Sequence, residues 1–262
     1  ASGSKGNCTY IGDGHAGVLI DCGVSTRQIL RRMDEVGLGE APIDAVLITH
    51  EHSDHVGAAR ILCNKLRKRT GQSVPFFMTE GTRRGVRAKC MPDAVEIIEP
   101  HESFQLRHLT LDPFSVPHDT HEPVGWRVRV GGTWAGVISD LGRPTALVAE
   151  KLRSLEVAVL EFNHDPEMLM MGPYPWSLKQ RIRSSHGHLS NAQAAALLVD
   201  GLSDNLRHLV LAHLSGENNT AAKALTAATD ALRGAGALDQ VDVQVAAQDV
   251  PTRPLRVRAR AW

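Results

Sequence analysis

The chain has 262 residues, a formal net charge of zero and 4% aromatic side chains. That length supports a hydrophobic core without disulfide staples. The charge balance argues against coating nucleic acid or membrane by bulk attraction, and so few aromatics argue against a base-stacking platform.

In chain order, "GVLIDCG" (17–23) is a short apolar run closed by Asp and Gly, the pattern of a buried strand. "STRQILRRMDEVGL" (25–38) follows with Ser in the N-cap place and apolar residues at helical spacing. "IDAVLIT" (43–49) predicts a second strand, "GAARILCNKLRKRTG" (57–71) a helix, "VPFFM" (74–78) a strand and "EGTRRGVRAKC" (80–90) a short helix. From about 95 to 140 the texture is strand-like, with Gly131-Gly132 as a hairpin turn. Helices and strands then alternate to "VDVQVAAQ" (241–248). Two mixed halves, each with strands inside and helices outside, predict a four-layer αββα sandwich, a single domain over 1–262 with a mobile basic tail at 251–262.

Cysteines at 8, 22, 63 and 90 form no CxxC pair and read as reduced thiols. No apolar stretch approaches the length of a membrane span, and no signal-peptide pattern is visible. Together these lead us to expect a cytoplasmic protein with no membrane partner; a homodimer is left open.

The chemistry lies in "ITHEHSDHVG" (48–57), where His50, His52, Asp54 and His55 fall within six residues just past a predicted strand. More candidate ligands share that strand-end address: His118, Asp140, His164 and His213. Mixed sheets bring such ends to one edge, where sites are commonly built. His-x-His-x-Asp-His suits a metal pair: two imidazoles one residue apart reach one ion, the next Asp and His serve a second, and a carboxylate such as Asp140 bridges. Imidazole with carboxylate suits Zn²⁺ first, and also Mn²⁺ or Fe. The bland alternative, a polar loop with surface histidines, does not explain so many ligand types at matching positions.

"THEHSDH", with Asp21 in "LIDCG", "SDLG" and "AHLS", resembles the signature of the metallo-β-lactamase superfamily over nearly the whole chain. "SGSKGN", "TEGT", "NHDPEML", "LKQRI" and "GHLSN" are similar to the YycJ/WalJ-type hydrolases, a bacterial group associated with 5′-to-3′ exonuclease activity on DNA. "GHLSNAQAA" also resembles the histidine loop of ribonuclease Z, and "LEFNHD" stands where its "HEAT" segment would. The resemblance implies His50, His52 and His118 on one metal, Asp54, His55 and His213 on a second, and Asp140 between them. Asp21 would orient a ligand ring. His188 would protonate the leaving oxygen, with His164 and Asp165 lining the site, either as a relay to His188 or touching substrate; Asp54, His188 and His164 are the catalytic candidates. His164 competes with His213 for the last metal position; "AHLS" favours His213.

Substrate grip is read from charge. Residues 60–89 hold nine basic side chains against the single acid Glu80, and Lys179, Arg181 and Arg183 form a second set. Arg67, Arg69, Lys179 and Arg183 are the candidates to track a phosphate backbone, against a solvated helix face as the alternative. "TEGT" and "SGSKGN" are candidate phosphate-binding turns. "MLMMGPYPW" (168–176) is either a wall of the site or a capping loop. The favoured function is a dinuclear-metal phosphodiesterase, a DNA exonuclease in which the cations generate the attacking hydroxide. The competing functions are a small-molecule hydrolase of the same fold (β-lactamase, lactonase or thioesterase) and a non-catalytic module, which the full ligand set disfavours.

Overall fold

The computed structural model describes residues 1–257. The first sheet holds β1 (Thr9–Gly12), β2 (Gly17–Ile20), β3 (Ala45–Leu47), β4 (Phe76–Met78) and β5 (Val95–Ile97) in that spatial order. After the antiparallel β1–β2 hairpin, the pairs are parallel. Its helices are α1 (Thr26–Glu35), α2 (Ser53–Val56), α3 (Ala59–Thr70) and α4 (Glu80–Gly85).

The second sheet runs β12-β11-β10-β9-β8-β7-β6. Its strands are β6 (Phe104–Leu106), β7 (Leu109–Ser115), β8 (Val124–Val130), β9 (Thr133–Ile138), β10 (Val157–Glu161), β11 (His208–Ala212) and β12 (Asp242–Val245). With it come α5 (Ala146–Arg153), α6 (Pro166–Met171), α7 (Trp176–Arg183), α8 (Asn191–Asp200) and α9 (Ala221–Gly234).

Strand periodicity sorts the core into layers. Val18, Ile20, Ala45 and Leu47 join Leu109, Leu111, Trp126 and Val128 in an apolar cluster shared by the two sheets. The alternate residues Leu19, Val46 and Ile48 pack with Ile29 and Met33 of α1 and Leu62 and Leu66 of α3. On the far side, Ile138, Leu160 and Leu211 pack with Val148 and Leu152 of α5, Leu197 of α8 and Leu232 of α9. Three apolar seams between four layers make the predicted αββα sandwich. Buried Trp126 adds a polar tie, its Nε1 donating to the Ile48 carbonyl at 3.2 Å.

Most predicted elements are present with trimmed ends. Gly131 and Gly132 make the β8–β9 turn at φ 56° and 87°, conformations that cost glycine little. Among the elements not anticipated are the one-turn helix α2 at Ser53–Val56, strand β1 and helix α6. Strand β1 is a half-buried edge with a weak apolar signal. Helix α6 hides in a Met-rich stretch, although Asp165 caps it, Pro166 opens it and Gly172 ends it. The predicted mobile tail, 251–262, lies partly outside the described residues; within them Arg253 pairs with Asp242 at 2.6 Å. Among the described residues no helix is long and apolar enough to cross a membrane.

The topology decides where the chemistry gathers. β2 and β3 are parallel with Ile20 opposite Leu47, so Asp21 and Thr49 leave the sheet side by side. β9, β10 and β11 are parallel with Ile138, Leu160 and Leu211 in register, so Asp140, Glu161 and His213 leave at one edge. Two antiparallel steps, β7 to β8 to β9, return the end of β7 and with it His118 to the same edge.

Candidate metal centre

Strand ends supply the donors and their neighbours fix the rings. Asp21 Oδ2 accepts from His55 Nδ1 at 2.8 Å, and its Oδ1 accepts from the Thr49 N–H at 2.9 Å. The Thr49 hydroxyl donates to Asp21 at 2.9 Å and stands 3.0 Å from His50 Nδ1, whose N–H it is placed to accept. His118 Nδ1 donates to the Gly187 carbonyl at 3.1 Å. With Nδ1 occupied, each of these rings presents Nε2 to the same space, as ligand histidines commonly do. His52 approaches by its Nδ1, 3.4 Å from His118 Nε2.

Four overlapping donor groupings result among the described residues, two of them joined through Asp140: His50, His55 and Asp140, and Asp140, Glu161, His188 and His213; the other two lie to either side. His50, His52 and His118 form one, and Asp54, His55 and His213 the other, with the donor atoms of each within 4.8 Å of one another. Asp140 stands between them: its oxygens lie 3.3 Å from His55 Nε2, 3.5 Å from His213 Nε2 and 3.8 Å from His118 Nε2. Asp54 Oδ2 is 3.4 Å from His55 Nε2 and 3.6 Å from His213 Nε2. Metal–ligand bonds near 2.0–2.2 Å at tetrahedral angles separate donor atoms by about 3.3–3.6 Å. The donor set fits divalent cations on a second count. His50 Nε2, His213 Nε2 and Asp140 Oδ2 are buried with no hydrogen-bond partner, a costly state for polar atoms that a cation relieves.

Charge balance agrees. Burial disfavours a charged His213 ring, but Asp140, Asp54 and Glu161 outweigh it and hold the group up at about 10. His55 is likewise pushed up, by Asp140 and Asp21 against burial. Burial and the neighbouring His55 push His50 down. Asp140 is buried, yet the surrounding rings hold its carboxyl below the usual carboxylate range. The protein alone balances these carboxylates with protonated rings, a place that cations take by displacing protons.

Three contributors sit in the left-handed region of backbone space: Asp21 at φ 62°, Asp140 at 59° and His213 at 55°. Each lies just past a strand. The turn directs its side chain across the sheet edge, at a cost that Asp, Asn and His tolerate better than most residues.

The β-lactamase superfamily domain matches residues 17–213. Exodeoxyribonuclease YycJ of Bacillus anthracis is 32% identical over 222 residues, 84% of this chain and 82% of its own. The chain belongs to the metallo-β-lactamase superfamily. Exodeoxyribonuclease WalJ of Streptococcus pneumoniae is 31% identical over 224 residues, 84% of this chain and 81% of its own. The crystal structure of the metallo-β-lactamase fold protein YhfI from Bacillus subtilis superposes with a TM-score of 0.69, covering 94% of this chain and 90% of that one at 15% identity, a likeness of fold alone. Superfamily membership and this donor set make the chain a metal-dependent hydrolase.

Of the other predicted residues in this superfamily member, His188 lines a cleft of about 500 Å³ together with His52, Asp54, Asp140 and His213. His164 does not join the donor groupings. It is buried, its backbone bridges to Ser190, and burial pushes its ring down to about 4. Asp165, expected to line the site, is not among the residues that line the cleft. Its carboxylate caps α6 through the Met168 N–H at 2.9 Å and pairs with Lys223 at 3.0 Å. The substrate-binding candidates are elsewhere too. Lys179 is buried, donating to the Met170 carbonyl at 2.7 Å, and Arg183 contacts the Met170 sulfur at 3.3 Å. Arg67 bonds Asn64 and pairs with Asp93; Arg69 bonds the Gly39 carbonyl and lies near Glu40. "TEGT" is a capped helix start, Thr79 accepting from the Thr82 N–H at 3.1 Å. From "SGSKGN", Ser4 lines the cleft and the Asn7 amide lies 3.0 Å from His55 Nε2. From "MLMMGPYPW", Tyr174 lines the cleft while Met171 and Trp176 are exposed.

Sequence reasoning missed Glu161. Its fully buried carboxylate accepts from His188 Nδ1 at 2.8 Å and from the Leu141 N–H at 2.7 Å. Burial alone would raise this carboxyl, but the His188 and His213 rings outweigh it and hold it below the usual range. The signal was available: an acidic residue at the end of an apolar strand, at the same address as Asp140.

Proposed function

We propose that the chain is a dinuclear-metal phosphodiesterase that digests DNA, rather than RNA, from strand ends in the 5′-to-3′ direction. Zn²⁺ is the favoured metal, with Mn²⁺ or Fe also suited. The observation that carries this reading is His188, held by Glu161 at 2.8 Å with its Nδ1 3.7 Å from the carboxylate of Asp140. A phosphodiester loses an alkoxide, a poor leaving group that benefits from a proton. The Nδ1–H donates to Glu161, which leaves Nε2 as the ring nitrogen able to exchange a proton in the cleft. His50, His52, His118, Asp54, His55, His213 and Asp140 would hold the cations, whose chemistry would be Lewis acidity toward the phosphoryl oxygens and a lowered pKa for water. Asp21, Thr49 and the Gly187 carbonyl keep the rings aimed. The names of the relatives, both exodeoxyribonucleases, support DNA as substrate and strand ends as the point of attack.

The test is a panel of end-labelled DNA and RNA, with a chromogenic cephalosporin alongside, given to metal-stripped protein resupplied with Zn²⁺ or Mn²⁺. Mononucleotides released from the 5′ end of DNA are expected. Turnover of the cephalosporin with DNA left intact would replace this reading by a small-molecule hydrolase.

A further inference from the structure

Twelve basic side chains lie in the two segments 60–89 and 179–183, yet only Arg87 and Arg181 of them line the cleft. Helix phase explains the second. On α7, Leu178, Arg181 and Ile182 are spaced i, i+3, i+4 and face the cleft together. Lys179 and Arg183 are i, i+4 on another face, where both reach Met170.

Arg181 is also held. Its Nε donates to Asp119 Oδ2 at 2.5 Å, while Asp119 Oδ1 lies 3.4 Å from His118 Nε2. No other acceptor among the described residues takes the guanidinium, and its side chain is 55% exposed. The outer N–H groups are therefore free, and the fork is pinned beside the donor cluster. Resting on the phosphodiesterase reading above, we propose that Arg181 binds a substrate phosphate in the cleft and that Asp119 is its positioning residue. The pair works as a unit. Arg181 neutralises Asp119, so losing the arginine removes a phosphate donor and leaves a bare carboxylate facing an anionic substrate. Lysine cannot hold Asp119 through one nitrogen and present a planar fork with others.

The experiment uses the full chain loaded with Mn²⁺, measuring steady-state kinetics on end-labelled DNA, metal content, and the salt dependence of DNA binding. Arg181→Ala should lower kcat/KM by about 10- to 100-fold through a raised KM, the size expected for a lost charged hydrogen bond. Its salt slope should fall by about 0.9, one phosphate contact. Metal content should not change. Arg181→Lys should recover only part of the loss. Asp119→Asn added to Arg181→Ala should regain activity, since it removes the repelling charge. The double variant Arg67→Ala/Arg69→Ala, at residues that do not line the cleft, should match the wild type. Wild-type KM and salt slope in Arg181→Ala, loss of metal along with activity, or no regain in the Asp119→Asn double variant would each overturn the assignment. A wild-type protein that cleaves neither DNA nor bis(p-nitrophenyl) phosphate would instead overturn the phosphodiesterase reading.

Discussion

Two regions of this chain are dense in chemistry-bearing residues, and the structure treats them oppositely. At the shared strand edge, residues from positions 21 to 213 converge, buried except for the half-buried His52, Asp54 and His188, and hold one another in place through Asp21, Thr49 and Glu161. Along α3 and α4 the density is greater in sequence, but the basic side chains point outward and spend their charge locally. Arg83 and Arg84 share Glu80, and Arg67 leans on Asp93. The difference is one of backbone delivery. Strand ends in register aim at a common point, whereas an exposed helix spreads its side chains around a cylinder.

Substitutions at the edge and on the helix test that contrast. The largest effect is expected from removing a donor: His52→Ala or Asp54→Ala should bring DNA hydrolysis to background and lower bound metal, read by activity and elemental analysis of the same sample. Full activity in either would dissolve the cluster as a unit. Next, His188→Ala should slow cleavage by about 10²- to 10⁴-fold with metal retained. Loss of metal instead would make His188 a ligand. Glu161→Gln should cost about 10- to 100-fold while leaving the ring in place, which a crystal structure of the variant checks. At the small end, Arg67→Ala/Arg69→Ala should leave the salt slope of DNA binding unchanged, because exposed ion pairs contribute little. A slope reduced by about two contacts would restore this helix as a substrate surface.

The sequence carried the fold well because period-two alternation in "GVLI" and "AVLI" survives in three dimensions as two opposite faces, Leu19 and Val46 outward, Ile20 and Leu47 inward. The histidine motif was legible for a different reason: its ligands share one loop and one turn of α2. What escaped notice needed orientation rather than identity. Lys179, Arg181 and Arg183 look alike as letters, and only the phase of α7 separates the one that lines the cleft from the two that pack behind it. Asp165 looked like a companion to His164, but the Asp-Pro pair is also a helix start, and that is how the chain uses it. Glu161 was passed over because a single acid in an apolar strand carries no spacing pattern.

The left-handed backbone at Asp140 (φ 59°) makes scaffold and chemistry separable at that position. Asparagine accepts this conformation at least as readily as aspartate, whereas valine does not. Asp140→Asn should therefore preserve the turn and remove only the negative charge. Asp140→Val removes both, so melting curves of the two proteins divide the residue's architectural contribution from its electrostatic one.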